Sequence, residues 1–246
     1  MSTPPPPPPP SPFGNQPPPQ QPYGAPPPAY SAPPGYTPYG APGAQGAVQS
    51  SKGLSKAMII LYAAVVAAAA LLALAYFKYK GVVNDALTGQ VTEKDHDSAK
   101  SFLGLAVILQ YLLMLASAIL TALWSKRIVA NAKTRGVSGV STGLAAGGWF
   151  IPIGWLFVGF SQLRKAVKGV GGVSKSLALW QGAFIVQTIA GFLNFNNETV
   201  YLGTQKAVDQ ISRQATVSLI TVVILVAATI FAAKSAKEID AAVTGG

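Results

Sequence analysis

Cysteine is absent from this 246-residue chain, and acidic side chains are scarce, eight Asp and Glu against 18 Lys and Arg. Without cysteine there is no disulfide framework, thiolate metal site or Cys nucleophile, and thiol redox chemistry is excluded. Charge of either sign is sparse, at 11% of residues, against about 25% in soluble domains. Histidine occurs once, and proline occurs once outside the first 42 residues, at Pro152. Half of the residues are hydrophobic, so the composition predicts a membrane chain and not a water-soluble globule. The net charge of +10 raises nucleic acid as a partner. The cations alternate with long apolar runs instead of forming one solvated face, so nucleic acid is not expected.

The opening 50 residues hold 19 of the 20 prolines and no charged side chain. Proline fixes φ and removes the backbone donor, so Pro4–Pro10 is expected as a polyproline II rod within a disordered tail. PYGAP occurs at 22–26 and again at 38–42. Such a segment suits an aromatic-lined groove on a protein partner, because its extended form loses little entropy on docking. A solvated spacer is the other reading of the same composition.

AMIILYAAVVAAAALLALAYF, residues 57–77, follows Lys52 and Lys56. As a helix its length is about 31 Å, enough for a hydrocarbon core of about 30 Å. Runs at 101–124, 176–195 and 216–233 have the same character, and none of the four contains Asp, Glu, Lys, Arg or His. The last is rich in Val, Ile and Thr, a β-type composition in water. In lipid every backbone group must bond within its segment, so a helix is expected there too. Trp124 and Trp180 lie near run ends, where aromatic belts form.

Residues 144–163, LAAGGWFIPIGWLFVGFSQL, are apolar enough to be a fifth span. Basic segments flank them: Lys126, Arg127, Lys133 and Arg135 before, Arg164, Lys165, Lys168 and Lys175 after, with no acidic residue from 125 to 175. Four spans with an inward N-terminus place twelve cations inside and six outside, whereas five spans place eight inside and ten outside. The positive-inside rule therefore favours four spans, with 144–163 a re-entrant or interfacial segment entered and left from the cytoplasmic side. Four glycines and Pro152 in that stretch suit a broken helix, and Trp149 and Trp155 suit headgroup depth. A kinked fifth span is the competing reading.

Beyond it, Phe160, Leu163, Val167 and Val170 recur at helical spacing while Arg164, Lys165 and Lys168 take another face, predicting an interfacial helix on anionic headgroups. Inside the spans Gln110, Gln181 and Gln187 are the large polar residues, read as interhelical hydrogen-bonding groups or as the lining of a pore. Catalytic and cofactor-binding residues are not found. EKDHD at 93–97 carries Glu93, Asp95, His96 and Asp97, a weak metal pattern in a loop more simply read as solvated, so no metal site is assigned. Asn197-Glu198-Thr199 fits a glycosylation acceptor only formally.

The string LWSKRIVANAKTRG followed by GGWFIPI, carrying Trp124, Arg127, Asn131, Ala132, Gly136, Gly148, Trp149 and Pro152, resembles the multi-pass membrane family known as domain of unknown function 4328, found largely in actinobacteria. The resemblance spans roughly residues 55–235. It implies a bacterial plasma-membrane protein and supplies no activity. After Pro152 the family tends to carry an Asn and a second Pro, where this chain has Trp155 and Gly159.

The sequence thus predicts an all-α integral membrane protein. It would have a tail at 1–54, a four-span bundle with its re-entrant or interfacial segment at 55–235, and a short tail at 236–246, with both termini cytoplasmic. The expected function is non-enzymatic, an interaction or scaffold protein whose partners are an anionic bilayer and a protein bound by the tail. A homo-oligomer is compatible with this, and a passive channel or small-solute transporter using 147–157 is the alternative.

Overall fold

The computed structural model describes residues 47–151, 153–194 and 203–245, so the tail before residue 47, Pro152 and the 197–199 triplet lie outside the described residues. Every regular element among those residues is helical: α1 (Lys52–Leu87), α2 (Glu93–Thr134), α3 (Thr142–Gly147), a 3-10 turn (Gly154–Leu156), α4 (Val158–Gly169), α5 (Lys175–Asn194) and α6 (Gln205–Thr244). Three of them, α1, α2 and α6, are each long and apolar enough to cross a membrane. The Val-, Ile- and Thr-rich run at 216–233 lies within α6, as the need for internal backbone pairing requires.

These three helices overrun the apolar runs that predict them. The helix expected at 101–124 extends over Glu93–Thr134, 42 residues, and the one expected at 216–233 over Gln205–Thr244, 40 residues. The cause is local. No glycine or proline interrupts 105–135 or 204–244, so α2 continues to the positive-φ Gly136 and α6 to the left-handed Gly245. Thr92 and Thr204 cap the other ends, accepting from the backbone amides of Asp95 and Ala207. EKDHD is therefore a helix start, not a free loop, and the cations at 126–133 sit on helix, not on connector. The expected C-terminal tail is also helical through Thr244. Its Ile239 and Val243 are fully buried because they continue the stripe of Ala232 and Ala236.

Among the described residues α1 packs lengthwise on both α2 and α6, and α5 packs on α6. Helices α2 and α5 do not approach each other along their lengths. Small buried residues, among them Ala68 and Ala69 on α1, Ala106 on α2 and Ala228 on α6, let the helices come close. Their outer faces carry exposed Ile60, Leu105, Ile108, Leu112 and Val223, the surface that lipid would cover.

At one end the gap between α2 and α5 is closed by the segment α3–turn–α4. Four ends meet there: the start of α1, the end of α2, the start of α5 and the end of α6. Residues 135–174 therefore leave the bundle and rejoin it at the same end. The main core lies at this end, around Trp124, Trp149, Phe160, Leu163 and Trp180. Smaller clusters occupy the middle, at Val65, Ala69 and Leu225, and the far end, at Val83, Ala207 and Val208.

Candidate functional site

The last three turns of α2 carry Trp124, Arg127 and Asn131, which reach α6 (Trp124) and the segment before α1 (Arg127 and Asn131). A carboxamide holds one donor group and one acceptor, so Asn131 can pair with a peptide as a strand would. It does so with Gln49, whose N–H donates to Asn131 Oδ1 (3.0 Å) while Asn131 Nδ2 donates to the Gln49 carbonyl (2.7 Å). Arg127 Nη1 donates to the Ser50 carbonyl at 3.1 Å. Ser51 Oγ donates to Asp240 Oδ1 (2.6 Å), and Trp124 Nε1 donates to the same oxygen (3.2 Å). Residues 49–51, placed by sequence in the tail, are thus clasped by α2 and α6, and the membrane domain begins ahead of residue 55. Arg135 makes a similar backbone contact, Nη1 to the Ala242 carbonyl at 3.1 Å.

Gly148 and Trp149 stand where the segment turns toward the bundle. Trp149 Nε1 donates to Ser125 Oγ at 3.1 Å. Its ring stacks on Trp180 (centroids 6.0 Å apart, 25° between planes) and meets the edge of Phe160 at 4.9 Å. The indole lies against Gly159, where a Cβ would come within 2.6 Å of the ring, and a Cβ on Gly148 would stand 2.7 Å from Val158 Cγ1 and 3.0 Å from the Gly159 amide. The two glycines let the arms of the segment touch. Trp124, Trp149 and Trp180 are accordingly buried in protein and are not the headgroup belt their positions suggested; Trp155 is the one that stays partly exposed. Pro152 belongs to the described surroundings by sequence only.

Helix α4 has the amphipathic pattern expected, with Phe160, Leu163 and Val167 on one face and Arg164, Lys165 and Lys168 exposed on the other. Its apolar face is covered by the protein's own core, so only the cationic face is left for a lipid surface. The Arg164 guanidinium donates to Gln181 Oε1, and Gln181 Nε2 donates to the Leu156 carbonyl. Gln181 therefore latches α5 to the inserted segment. Gln110 is buried on α2 with no hydrogen-bond partner for its Oε1, and Gln187 is half-buried on α5. No hydrogen bond joins the three glutamines.

Glu238 holds the start of α5, accepting from Ser174 Oγ (2.8 Å) and Ser176 Oγ (2.7 Å). Burial pushes its carboxyl up, but the two hydroxyls, the Ser176 backbone and Lys234 outweigh that and hold it below the usual value. The grip is complete above the ordinary carboxylate range and is lost as pH falls through the lowered value.

At the far end His96 Nε2 lies 3.2 Å from Tyr79 Oη, and Asp95 accepts from Thr92 Oγ1. Among the described residues no three His, Asp or Glu converge on one point. The junction residues that sequence reasoning missed are Gln49, Ser51, Glu238 and Asp240. Asp240 alone left a signal, a carboxylate between the buried stripe positions Ile239 and Val243.

The family model described as "Domain of unknown function (DUF4328)" matches residues 88–241. It takes in α2 to the last turn of α6, hence Trp124, Arg127, Asn131, Trp149 and Asp240, and it leaves out α1, which the resemblance from residue 55 had included. No curated protein and no solved structure matches.

Proposed function

The chain belongs to the family described as domain of unknown function 4328, and from that premise we propose a non-enzymatic, multi-pass protein of a bacterial plasma membrane that acts as an interaction scaffold. The observation that carries this reading is the return of residues 135–174 to the end where residues 47–51 and the end of α6 also lie. Both basic segments then share one side with residues 47–51 and the end of α6, and on the positive-inside rule that side is read as cytoplasmic. Helix α5, 20 residues and about 30 Å long, serves as a fourth span beside α1, α2 and α6.

On this reading the Pro-rich tail presents its repeated PYGAP to a cytoplasmic protein with an aromatic groove. Arg164, Lys165 and Lys168 face anionic headgroups, each cation contributing about 1 kcal/mol near the surface. The clasp by Arg127, Asn131 and Asp240 fixes where the tail leaves the membrane domain. No nucleic acid, metal or cofactor enters the proposal. The spans lack ionisable side chains and the glutamines do not gather, so a scaffold is preferred to a transporter.

Because the chain has no cysteine, single cysteines map sidedness cleanly. Val173→Cys and Ser138→Cys, both exposed positions on the basic connectors, should react with an impermeant maleimide only after the cells are opened. Labelling of Val173→Cys from outside would sink the four-span reading. In the same strain, deletion of residues 1–46 should remove the cross-linked protein partners while leaving the labelling pattern unchanged. An unchanged partner set would remove the tail's role.

A further inference from the structure

We propose that the corner between α4 and α5 is a seat for the phosphate of one anionic lipid headgroup. This rests on the reading above that places this end against an anionic leaflet, and it turns a general attraction into a defined site. A cavity of about 310 Å³ opens there between Arg164, Val167 and Lys168 of α4 and the connector that leads to Leu177 of α5. That volume is at the low end for small-molecule sites, fit for a headgroup but not for a whole lipid.

Arg164 and Lys168 are four residues apart on one helix, so both reach the same side. Neither forms an ion pair among the described residues; Arg164 donates to the neutral Gln181 Oε1, which leaves its charge uncompensated. Two cations without a counterion beside a cavity invite an anion, and a phosphate accepts several charge-assisted hydrogen bonds at once. The first amides of α5 are already engaged, Leu177 N–H by Ser174 Oγ at 3.2 Å and the Ser176 backbone by Glu238, so the two cations carry the site. Glu238 is the acidic group nearby, and its two oxygens are engaged by the hydroxyls of Ser174 and Ser176.

The connector is shaped for the role. Gly171 takes a positive φ of 78°, and Gly172 lies so tightly on α6 that a Cβ would stand 2.8 Å from Ala242 Cβ. This leaves Val173 projecting, 78% exposed, beside the cations. Val173 gives the cationic cavity an exposed apolar edge, while Val167 and Leu177 behind it are buried in the core, and that edge fits an amphiphile better than a free anion because it gains nothing from inorganic phosphate.

The test uses the full chain in nanodiscs of equal phosphatidylglycerol and phosphatidylcholine, released into detergent and weighed by native mass spectrometry. One phosphatidylglycerol per chain should be retained in preference to phosphatidylcholine. K168Q should lower that retention about tenfold, the worth of one charge-assisted hydrogen bond. K133Q, an exposed cation at the end of α2 outside the cavity lining, should change it less than about twofold. Equal losses in the two variants would mean a diffuse surface attraction and overturn the seat, leaving the sidedness and tail results untouched. Equal retention of both lipids would overturn it as well. Excess inorganic phosphate should leave the lipid in place; its release by phosphate alone would show an anion site and not a lipid site.

Discussion

Trp180→Ala should cost about 3–5 kcal/mol of unfolding free energy, the range for emptying a large aromatic site. Trp180 is 1% exposed, and rings from four other places in the chain meet it: Tyr62 of α1 (6.1 Å), Trp124 of α2 (6.2 Å), Trp149 (6.0 Å) and Phe160 of α4 (5.1 Å). Among the described residues no backbone hydrogen bond or long helix–helix contact joins α5 to α1 or α2, so they meet through side chains, the Trp180 indole foremost. Denaturant titration of the purified chain in micelles measures the loss. Val186→Ala, on a face of α5 that is 52% exposed, should change stability by less than about 1 kcal/mol, because lipid or detergent replaces the contact. Similar values for the two would refute the central place given to Trp180.

Asp240→Ala is expected to cost about 2–4 kcal/mol, since it strands two buried donors at once. Ser51 and Trp124 are both fully buried and both donate to Asp240 Oδ1. The effect should begin locally. Residues 47–52 should become open to protease at denaturant levels where α2 and α6 still resist, because the clasp loses its link to α6 while Asn131 and Arg127 hold only backbone. Asp240→Asn keeps an acceptor oxygen in place and should recover most of the loss. If cleavage near residue 50 were unchanged in Asp240→Ala, the carboxylate would not be what holds the segment.

How much of this was legible depends on how local its cause is. Apolar runs located the helices α1, α2, α5 and α6, of which α1, α2 and α6 are long and apolar enough to span, because a helix is written in consecutive residues. Their ends were misplaced where hydrophobicity stops but nothing breaks the helix, as between Trp124 and Gly136. The cation count predicted a segment entered and left from one side, a sum over short loops, and residues 135–174 do leave and rejoin the bundle at one end.

The stripe of Phe160, Leu163 and Val167 was legible as a stripe. What covers it was not, since a periodic pattern predicts burial without naming the partner. The same blindness made Trp124 and Trp180 look like belt residues. Asn131 to Gln49 spans 82 positions and Ser51 to Asp240 spans 189. No window of sequence contains both halves of either contact.

The crowding of indoles at one end has an optical consequence. All four tryptophans of the chain fall between residues 124 and 180, and two of them, Trp124 and Trp149, have ring centres about 6 Å from that of Trp180. Tryptophan emission therefore comes from the inserted segment and its sockets, while the far ends of α1 and α6 contribute none of it. Trp155, half in the open, is the one ring a quencher carried in lipid tails would reach first. Intensity and quenching together would separate movement of that segment from changes anywhere else in the bundle.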